Sequence, residues 1–328
     1  MAYRIIATAR SFCNTPGAHL DYLASNGCEL EKRASAHPLK AAELAELVPG
    51  CDGLILGLDH CDRSVIERAD RLKVISRYGV GVDEVDLMAA AERGIAVTNT
   101  PGGNSSGVIE LTIGLMFALA RQIPQVASAA KQGQWLRSQG WELGGKTLGL
   151  IGLGAIGREV ARRARALEMR VIGCDPFAPD TPGIERGDLA WVLSEADIVS
   201  LHAPLMPETA NTINRETIAQ MKDGAYLVNT ARGGLVDEAA LYDALKSGRL
   251  AGAAADVFQH DPPQDSPLFT LDNFIGTPHI GATTREAVLK TALMAAENLV
   301  AVLTGQPCPH IVNAAELDAH RRGDAHGS

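Results

Sequence analysis

The 328-residue chain is poor in the marks of several protein classes. Its six cysteines, Cys13, Cys28, Cys51, Cys61, Cys174 and Cys308, are scattered, and none forms a CxxC pair. A disulfide framework or a zinc site needs tighter clustering. Reduced, mostly buried thiols in a cytoplasmic protein are therefore expected, and no metal. Positive charge is in deficit: 30 Lys and Arg stand against 39 Asp and Glu, a net charge of −9. That argues against a nucleic-acid partner, while a local basic pocket could still take a small anion. The longest apolar stretch, Val108–Ala120, contains Glu110 and is too short to cross a bilayer, so no membrane association is expected. Met1 leads directly into Tyr3-Arg4-Ile5-Ile6, which reads as a strand, so no signal peptide is expected. Solenoid repeats and low-complexity tracts are missing as well.

What is present is an alternation of short apolar runs with helical patterns. Strands are expected at Ile5–Thr8, Leu54–Leu58, Val74–Ser76 and Ile95–Asn99, with helices at His19–Asn26, Leu39–Leu47 and Leu87–Arg93. Such alternation predicts parallel sheets covered by helices, an α/β fold, and this length favours two domains. The cluster from Pro101 to Gly107 cannot continue a strand and suits a crossover between domains. A mostly apolar helix follows from Val108 to Arg121, expected to be buried in a core, a domain junction or a subunit interface. A second set of strands is expected at Thr147–Ile151, Val171–Cys174, Ile198–His202, Tyr226–Asn229, Ala253–Val257 and Phe274–Thr277. Asp237 is the expected N-cap of a helix that Gly248 stops. One more long helix is expected at Arg285–Leu303, and the tail after Leu317 is expected to fray.

Gly152-Leu153-Gly154-Ala155-Ile156-Gly157 matches GxGxxG. The motif alone is weak, but a strand precedes it, a helix follows, and the next strand ends at Asp175. In this dinucleotide-binding pattern Gly152 permits the turn, Gly154 lets the backbone approach a pyrophosphate, and Gly157 lets the helix pack on the sheet. The helix N-terminus offers free N–H groups to phosphate. A carboxylate at Asp175 would accept from ribose hydroxyls and repel a 2′-phosphate, which favours NAD over NADP.

The chain closely resembles the D-isomer-specific 2-hydroxyacid dehydrogenases, in their phosphoglycerate dehydrogenase branch. The resemblance runs from Cys51-Asp52-Gly53 to Ile311-Val312-Asn313. Segments Arg77–Asp83, Thr98–Gly102, Leu119–Pro124, Asn229–Gly234, Ala255–Phe258 and Thr277–Ala282 carry it. It implies two doubly wound parallel-sheet domains: a Rossmann NAD-binding domain over residues 102–284, inserted into a flavodoxin-like substrate domain made of 1–101 and 285–328. The active site would lie in the cleft between them, in a homodimer held through the NAD-binding domains and the Val108–Arg121 helix. Arg232 would bind the substrate carboxylate and the reacting oxygen, a task suited to a planar, permanently charged fork. His279 would be the acid–base, since ketone reduction needs a proton delivered to oxygen as hydride reaches carbon. The family's histidine pairs with a glutamate shortly after the DVF segment, whereas Asp261 stands at that place here. Aspartate is one methylene shorter, so either its loop comes closer to His279 or the pair is weaker. Asp256 would hold the nicotinamide carboxamide, and His202, Ala203 and Pro204 would line the nicotinamide pocket. Thr230, Ala231 and Gly281 would complete the cofactor contacts. Gly79, Val80 and Gly81 would offer N–H groups to the substrate carboxylate, beside Arg77. Trp135 would reach toward a partner's active site or pack at the interface.

Substrate choice is less legible. The branch usually carries a Val-Arg-Ser segment whose arginine helps hold a phosphate, and here the chain reads Leu56-Gly57-Leu58-Asp59. Asp59 would repel an anion if it faced the cleft. Arg77 and Arg10, with Ser11, could instead seat a phosphate, sulfonate or second carboxylate, or Arg10 could be a solvated turn residue. The sequence runs only a short way past Asn313, so the regulatory domains of some relatives are not expected. The expected activity is reversible hydride transfer between NAD(H) and a small 2-hydroxy or 2-keto acid such as phosphoglycerate, hydroxypyruvate or glyoxylate. Two alternatives are an oxidoreductase of this fold acting on another anion, such as phosphite, and an NAD-sensing corepressor, which the short tail disfavours.

Overall fold

The computed structural model describes residues 2–324 of the chain, with side chains to residue 320. The polypeptide divides into two compact units. One comprises the chain up to Asn104 together with the chain from Thr283 onwards, and the other is Ser105–Ala282.

In the first unit the strands are β1 (Tyr3–Ala7), β2 (Cys28–Lys32), β3 (Gly53–Leu56), β4 (Val74–Arg77) and β5 (Ala96–Thr98), in the order β2-β1-β3-β4-β5. Every pairing is parallel. Strand alternation sends neighbours to opposite faces. Ile5 and Ala7 join one apolar cluster with Ile55, Val74 and Leu299, while Ile6 joins another with Leu54, Leu56, Ile75 and Val97. Burial on both faces explains why β3, Gly-Leu-Ile-Leu, carries no polar residue. The long helix Arg285–Leu303 covers one face, and Thr284 caps it by accepting from the Ala287 N–H.

The second unit holds β6 (Thr147–Ile151), β7 (Arg170–Cys174), β8 (Glu185–Arg186), β9 (Ile198–Leu201), β10 (Ala225–Asn229), β11 (Leu250–Ala255) and β12 (Phe274–Gly276). They form one parallel sheet in the order β12-β11-β10-β9-β6-β7-β8. Sequence order reverses between β9 and β6, the switch point at which such sheets bind ligands beyond their carboxyl ends. The helix Ser105–Arg121 begins three residues before its expected start, and buries Ile109, Thr112, Leu115, Met116 and Leu119. Among the described residues no single helix is long and apolar enough to cross a membrane. Asp237 caps Glu238–Ser247 as expected, accepting from Ala239 and Ala240 N–H, and Gly248 ends that helix at φ 78°.

Several elements depart from expectation. β2 reads Cys-Glu-Leu-Glu-Lys and β8 is Glu185–Arg186, both edge strands whose polar composition hides them. Arg10 does not end a strand; it opens the short helix Arg10–Asn14 and is exposed. The tail beyond Leu317 continues the helix Ala314–Asp324, because Leu317 packs with Ala91 and Ala96.

That last helix is tied to the sheet edge by Asn313, which is fully buried. Its Oδ1 accepts from the Val97 N–H at 2.9 Å and its Nδ2 donates to the Ile95 carbonyl at 3.0 Å, so a side chain stands in for a neighbouring strand. Asn313→Ala leaves two buried backbone groups without partners, and we expect a loss of about 2–4 kcal/mol in the stability of this unit, measured by denaturant unfolding.

Candidate active site

The glycine-rich turn follows β6. Gly152 adopts φ 97°, and a Cβ there would lie 2.6 Å from both the His202 carbonyl carbon and the Ala203 nitrogen. A Cβ on Gly157 would lie 2.2 Å from the Gly152 oxygen. Any side chain at either position would push the helix Ala155–Ala166 off the sheet. A Cβ on Gly154, by contrast, would meet nothing within 4 Å, so the space in front of the helix N-terminus is open. That helix has no side-chain cap, which leaves its first N–H groups free for an anion. An NAD pyrophosphate fits this cradle.

Asp175 follows β7. Its Oδ2 accepts from the Leu153 N–H at 2.8 Å, and its Oδ1 from Phe177 at 2.8 Å and Ala178 at 3.0 Å. Burial raises the carboxyl's pKa, but these bonds and nearby Arg186 outweigh it and hold the group below the usual carboxylate range. The acid is thereby both ionised and fixed beside the turn. Arg186 donates to the Asp175 carbonyl and pairs with Asp180 at 3.0 Å.

His202, Ala203 and Pro204 follow β9. The residue His202 is partly exposed as a whole, yet burial of its ring pushes the pKa down to about 4. Its Nε2 lies 2.9 Å from the Ser200 hydroxyl. A neutral imidazole so held under the Gly152 turn is a structural lining group and is poorly suited to deliver protons near neutrality.

The loops after β10, β11 and β12 form the chemical part. Arg232 lies three residues beyond the end of β10 in extended conformation, and its Nη1 donates to the Ala231 carbonyl at 2.7 Å. Gly233 next to it is pressed against the β11 loop: a Cβ there would stand 1.8 Å from the Phe258 carbonyl carbon and 2.4 Å from the Gln259 nitrogen. Only glycine permits that approach, which brings the Arg232 turn against the segment leading to Asp261. Asp261 Oδ2 lies 2.7 Å from His279 Nδ1, and its Oδ1 accepts from the Phe258 N–H at 3.2 Å. The shorter acid therefore reaches the histidine because its loop comes close, the first of the two ways open to it.

Asp256 directly follows β11 and is only 2% exposed. Its Oδ1 accepts from the Thr277 hydroxyl at 2.6 Å and the Ile280 N–H at 2.8 Å, and its Oδ2 from the Gly281 N–H at 2.8 Å. Between these anchors His279 takes φ 52°, a left-handed conformation rare for a side-chain-bearing residue. Asp256 thus holds the histidine loop, a task the sequence did not suggest.

The remaining candidates belong to the first unit. Arg77 is 7% exposed, and its guanidinium donates to the Tyr78 carbonyl and lies beneath Gly79, where a Cβ would stand 2.7 Å from Nη1. Gly79 has φ 147°, and Val80 is exposed. Asp59 is buried and faces inward: it accepts from the Thr8 hydroxyl at 2.6 Å, the Leu39 N–H at 2.7 Å and the Gly57 N–H at 3.1 Å. The carboxylate is thus engaged by donors of its own unit. Three contributors escaped sequence reasoning: Gly233, Asn229 and Thr112. The last is a buried hydroxyl 2.8 Å from that of Thr230.

Comparison with known proteins places the chain in a family. Residues 113–281 match the family model described as D-isomer specific 2-hydroxyacid dehydrogenase, NAD binding domain. The chain is 47% identical over 293 residues to D-3-phosphoglycerate dehydrogenase of Methanocaldococcus jannaschii, covering 87% of this chain and 56% of that protein. It is 44% identical to hydroxypyruvate reductase of Thermotoga maritima, covering 82% of this chain and 90% of that one. The solved structure of TT0316 protein from Thermus thermophilus superimposes with a TM-score of 0.87 at 44% identity, over 94% of this chain and 99% of that one. The chain spans a little over half the length of the phosphoglycerate dehydrogenases it matches.

Asp175→Ser should weaken NADH binding at least tenfold and narrow the preference over NADPH, because Arg186 is already at hand for a 2′-phosphate; titration of both cofactors by fluorescence measures this. An unchanged NADH affinity would remove Asp175 from the ribose site. The glycine cradle, the fixed acid beside it and these relatives lead to one assignment: the chain belongs to the D-isomer-specific 2-hydroxyacid dehydrogenase family, whose matched domain binds NAD.

Proposed function

We propose that the protein is an NAD-dependent dehydrogenase that interconverts a small D-2-hydroxy acid and its 2-keto acid. The observation that carries this is the Asp261–His279 pair at 2.7 Å, on loops locked against the Arg232 turn through Gly233. In the reductive direction NADH, when bound, supplies the hydride. Arg232 pairs with the substrate carboxylate and polarises the C2 carbonyl. His279 Nδ1 donates to Asp261, which fixes the ring; in the imidazolium form Nε2 carries the second proton and gives it to the oxygen, leaving a neutral imidazole with its proton on Nδ1. Asp256 keeps His279 in place, and Asp175 and the Gly152–Gly157 turn hold the dinucleotide. The N–H groups of Gly79, Val80 and Gly81 are assigned to the substrate carboxylate on the family resemblance.

For the substrate we favour a keto acid with a small, uncharged tail, such as hydroxypyruvate or glyoxylate, over a phosphorylated one. The support is the placement of Arg77, whose guanidinium donates into its own loop, and the run Leu56-Gly57-Leu58-Asp59 in place of a Val-Arg-Ser segment, which lacks the arginine that would serve a phosphate. A relative that this chain matches over 90% of that relative's length is named hydroxypyruvate reductase. We place the enzyme in the cytoplasm as a homodimer. Its six cysteines are free, and Trp135, 88% exposed, adjoins Leu136 and follows the helix Ile123–Lys131, which exposes Ile123, an apolar surface that a second copy would cover. Trp135→Glu with Leu136→Glu should shift the sedimenting species toward monomer; a wild-type monomer refutes the dimer.

NADH oxidation by purified protein against glyoxylate, hydroxypyruvate, phosphohydroxypyruvate and pyruvate tests the activity. His279→Ala should lower kcat by roughly 10²–10⁴-fold, and Asp261→Asn by about tenfold or more. Turnover that survives His279→Ala would overturn the assignment of the acid–base.

A further inference from the structure

Asn229 is the last residue of β10 and is 3% exposed. Its side-chain Oδ1 accepts from the Ala231 N–H at 3.1 Å, and its Nδ2 donates to the Arg232 carbonyl at 2.9 Å. Both functions of the amide are therefore spent on the turn that presents Arg232. Its backbone is fixed too, for its carbonyl accepts from the Asp256 N–H at 2.9 Å. The next residue is held from the other side. The Thr112 hydroxyl lies 2.8 Å from the Val108 carbonyl, which can only accept, so it donates there and receives the Thr230 proton across 2.8 Å. Beyond Arg232, Gly233 is immobilised against Phe258 and Gln259. The arginine thus sits on a short turn pinned at each end, and the Asn229 amide is the element that sets its curvature. No other side chain of this size offers a donor and an acceptor at that spacing: aspartate lacks the donor, leucine both, and glutamine is a methylene too long.

We propose that Asn229 is a positioning residue that aims Arg232, setting affinity for the keto acid without touching it. The inference rests on the role given to Arg232 above. Carboxylate recognition by a guanidinium fork depends on angle as well as distance, so a small rotation of the turn costs binding. The dinucleotide turn lies on a different strand, β6, and does not depend on this amide.

The test uses the full chain as wild type, Asn229→Asp and Asn229→Ala. Steady-state kinetics with hydroxypyruvate are measured together with the Kd of NADH and the Kd of oxalate for the NADH-loaded protein. Asn229→Asp keeps the size of the side chain but turns an oxygen toward the Arg232 carbonyl. We expect KM and the oxalate Kd to rise roughly ten- to hundredfold in both variants, and by a clearly larger factor than the NADH Kd, to which the neighbouring Ala231 contributes. Unchanged KM and oxalate binding, or a parallel loss of NADH binding, overturns the proposal. A wild-type protein that turns over no keto acid would sink the dehydrogenase reading instead, and the oxalate Kd values alone would then decide the role of Asn229. Should Asn229→Ala fail to fold, Asn229→Asp carries the comparison.

Discussion

The loop that carries His279 depends on one buried carboxylate. Asp256 is removed from water and surrounded by donors from a single stretch, the Thr277 hydroxyl and the N–H groups of Ile280 and Gly281. An ionised group without such partners would be prohibitive inside a protein. With them it becomes a template: the segment that satisfies it must wrap around it, and the wrapping drives His279 to φ 52°. Strain of order 1–3 kcal/mol in a left-handed side-chain-bearing residue persists only where surroundings over-determine it. Here three charge-assisted bonds do so. The histidine's direction is therefore a consequence of satisfying Asp256.

The same logic links the loops after three adjacent strands. Parallel pairing puts the ends of β10, β11 and β12 side by side, so Asn229, Asp256 and Thr277 lie close together. Without Gly233 the first loop could not rest on the second, and Asp261 could not be carried near the third. The Phe258–Asp261 segment is folded back on itself, with the Phe258 N–H donating to Asp261 Oδ1, and this leaves Oδ2 for His279.

Much of this was legible in the sequence, and what was not has physical causes. Central strands buried on both faces announce themselves as apolar runs, so β3, β6, β9 and β10 were readable. β2 and β8 lie at sheet edges, where alternate polar residues are tolerated and the signal vanishes. Gly152, Gly154 and Gly157 were legible because strand, helix and Asp175 frame them. Arg232, Asp261 and His279 were legible only through family resemblance, since a lone histidine or arginine in a loop carries no signal of its own. Asp59 and Arg77 show the limit. Their charges suggested roles toward an anion, but a side chain's direction depends on partners far off in sequence, Thr8 and Leu39 for one. No local pattern reports that.

Asp59, near the carboxyl ends of β1 and β3, is a second buried acid of the same kind. Its carboxylate accepts from the Thr8 hydroxyl and from Leu39 and Gly57 N–H groups, all neutral donors, and it is almost wholly buried. Those donors spread its charge and hold both oxygens on the inner side of the loop. The acid thereby does for the β1–β3 end what Asp256 does for the β11–β12 end: it fastens a loop by accepting backbone N–H groups. In both units buried carboxylates shape the loops that follow the strands.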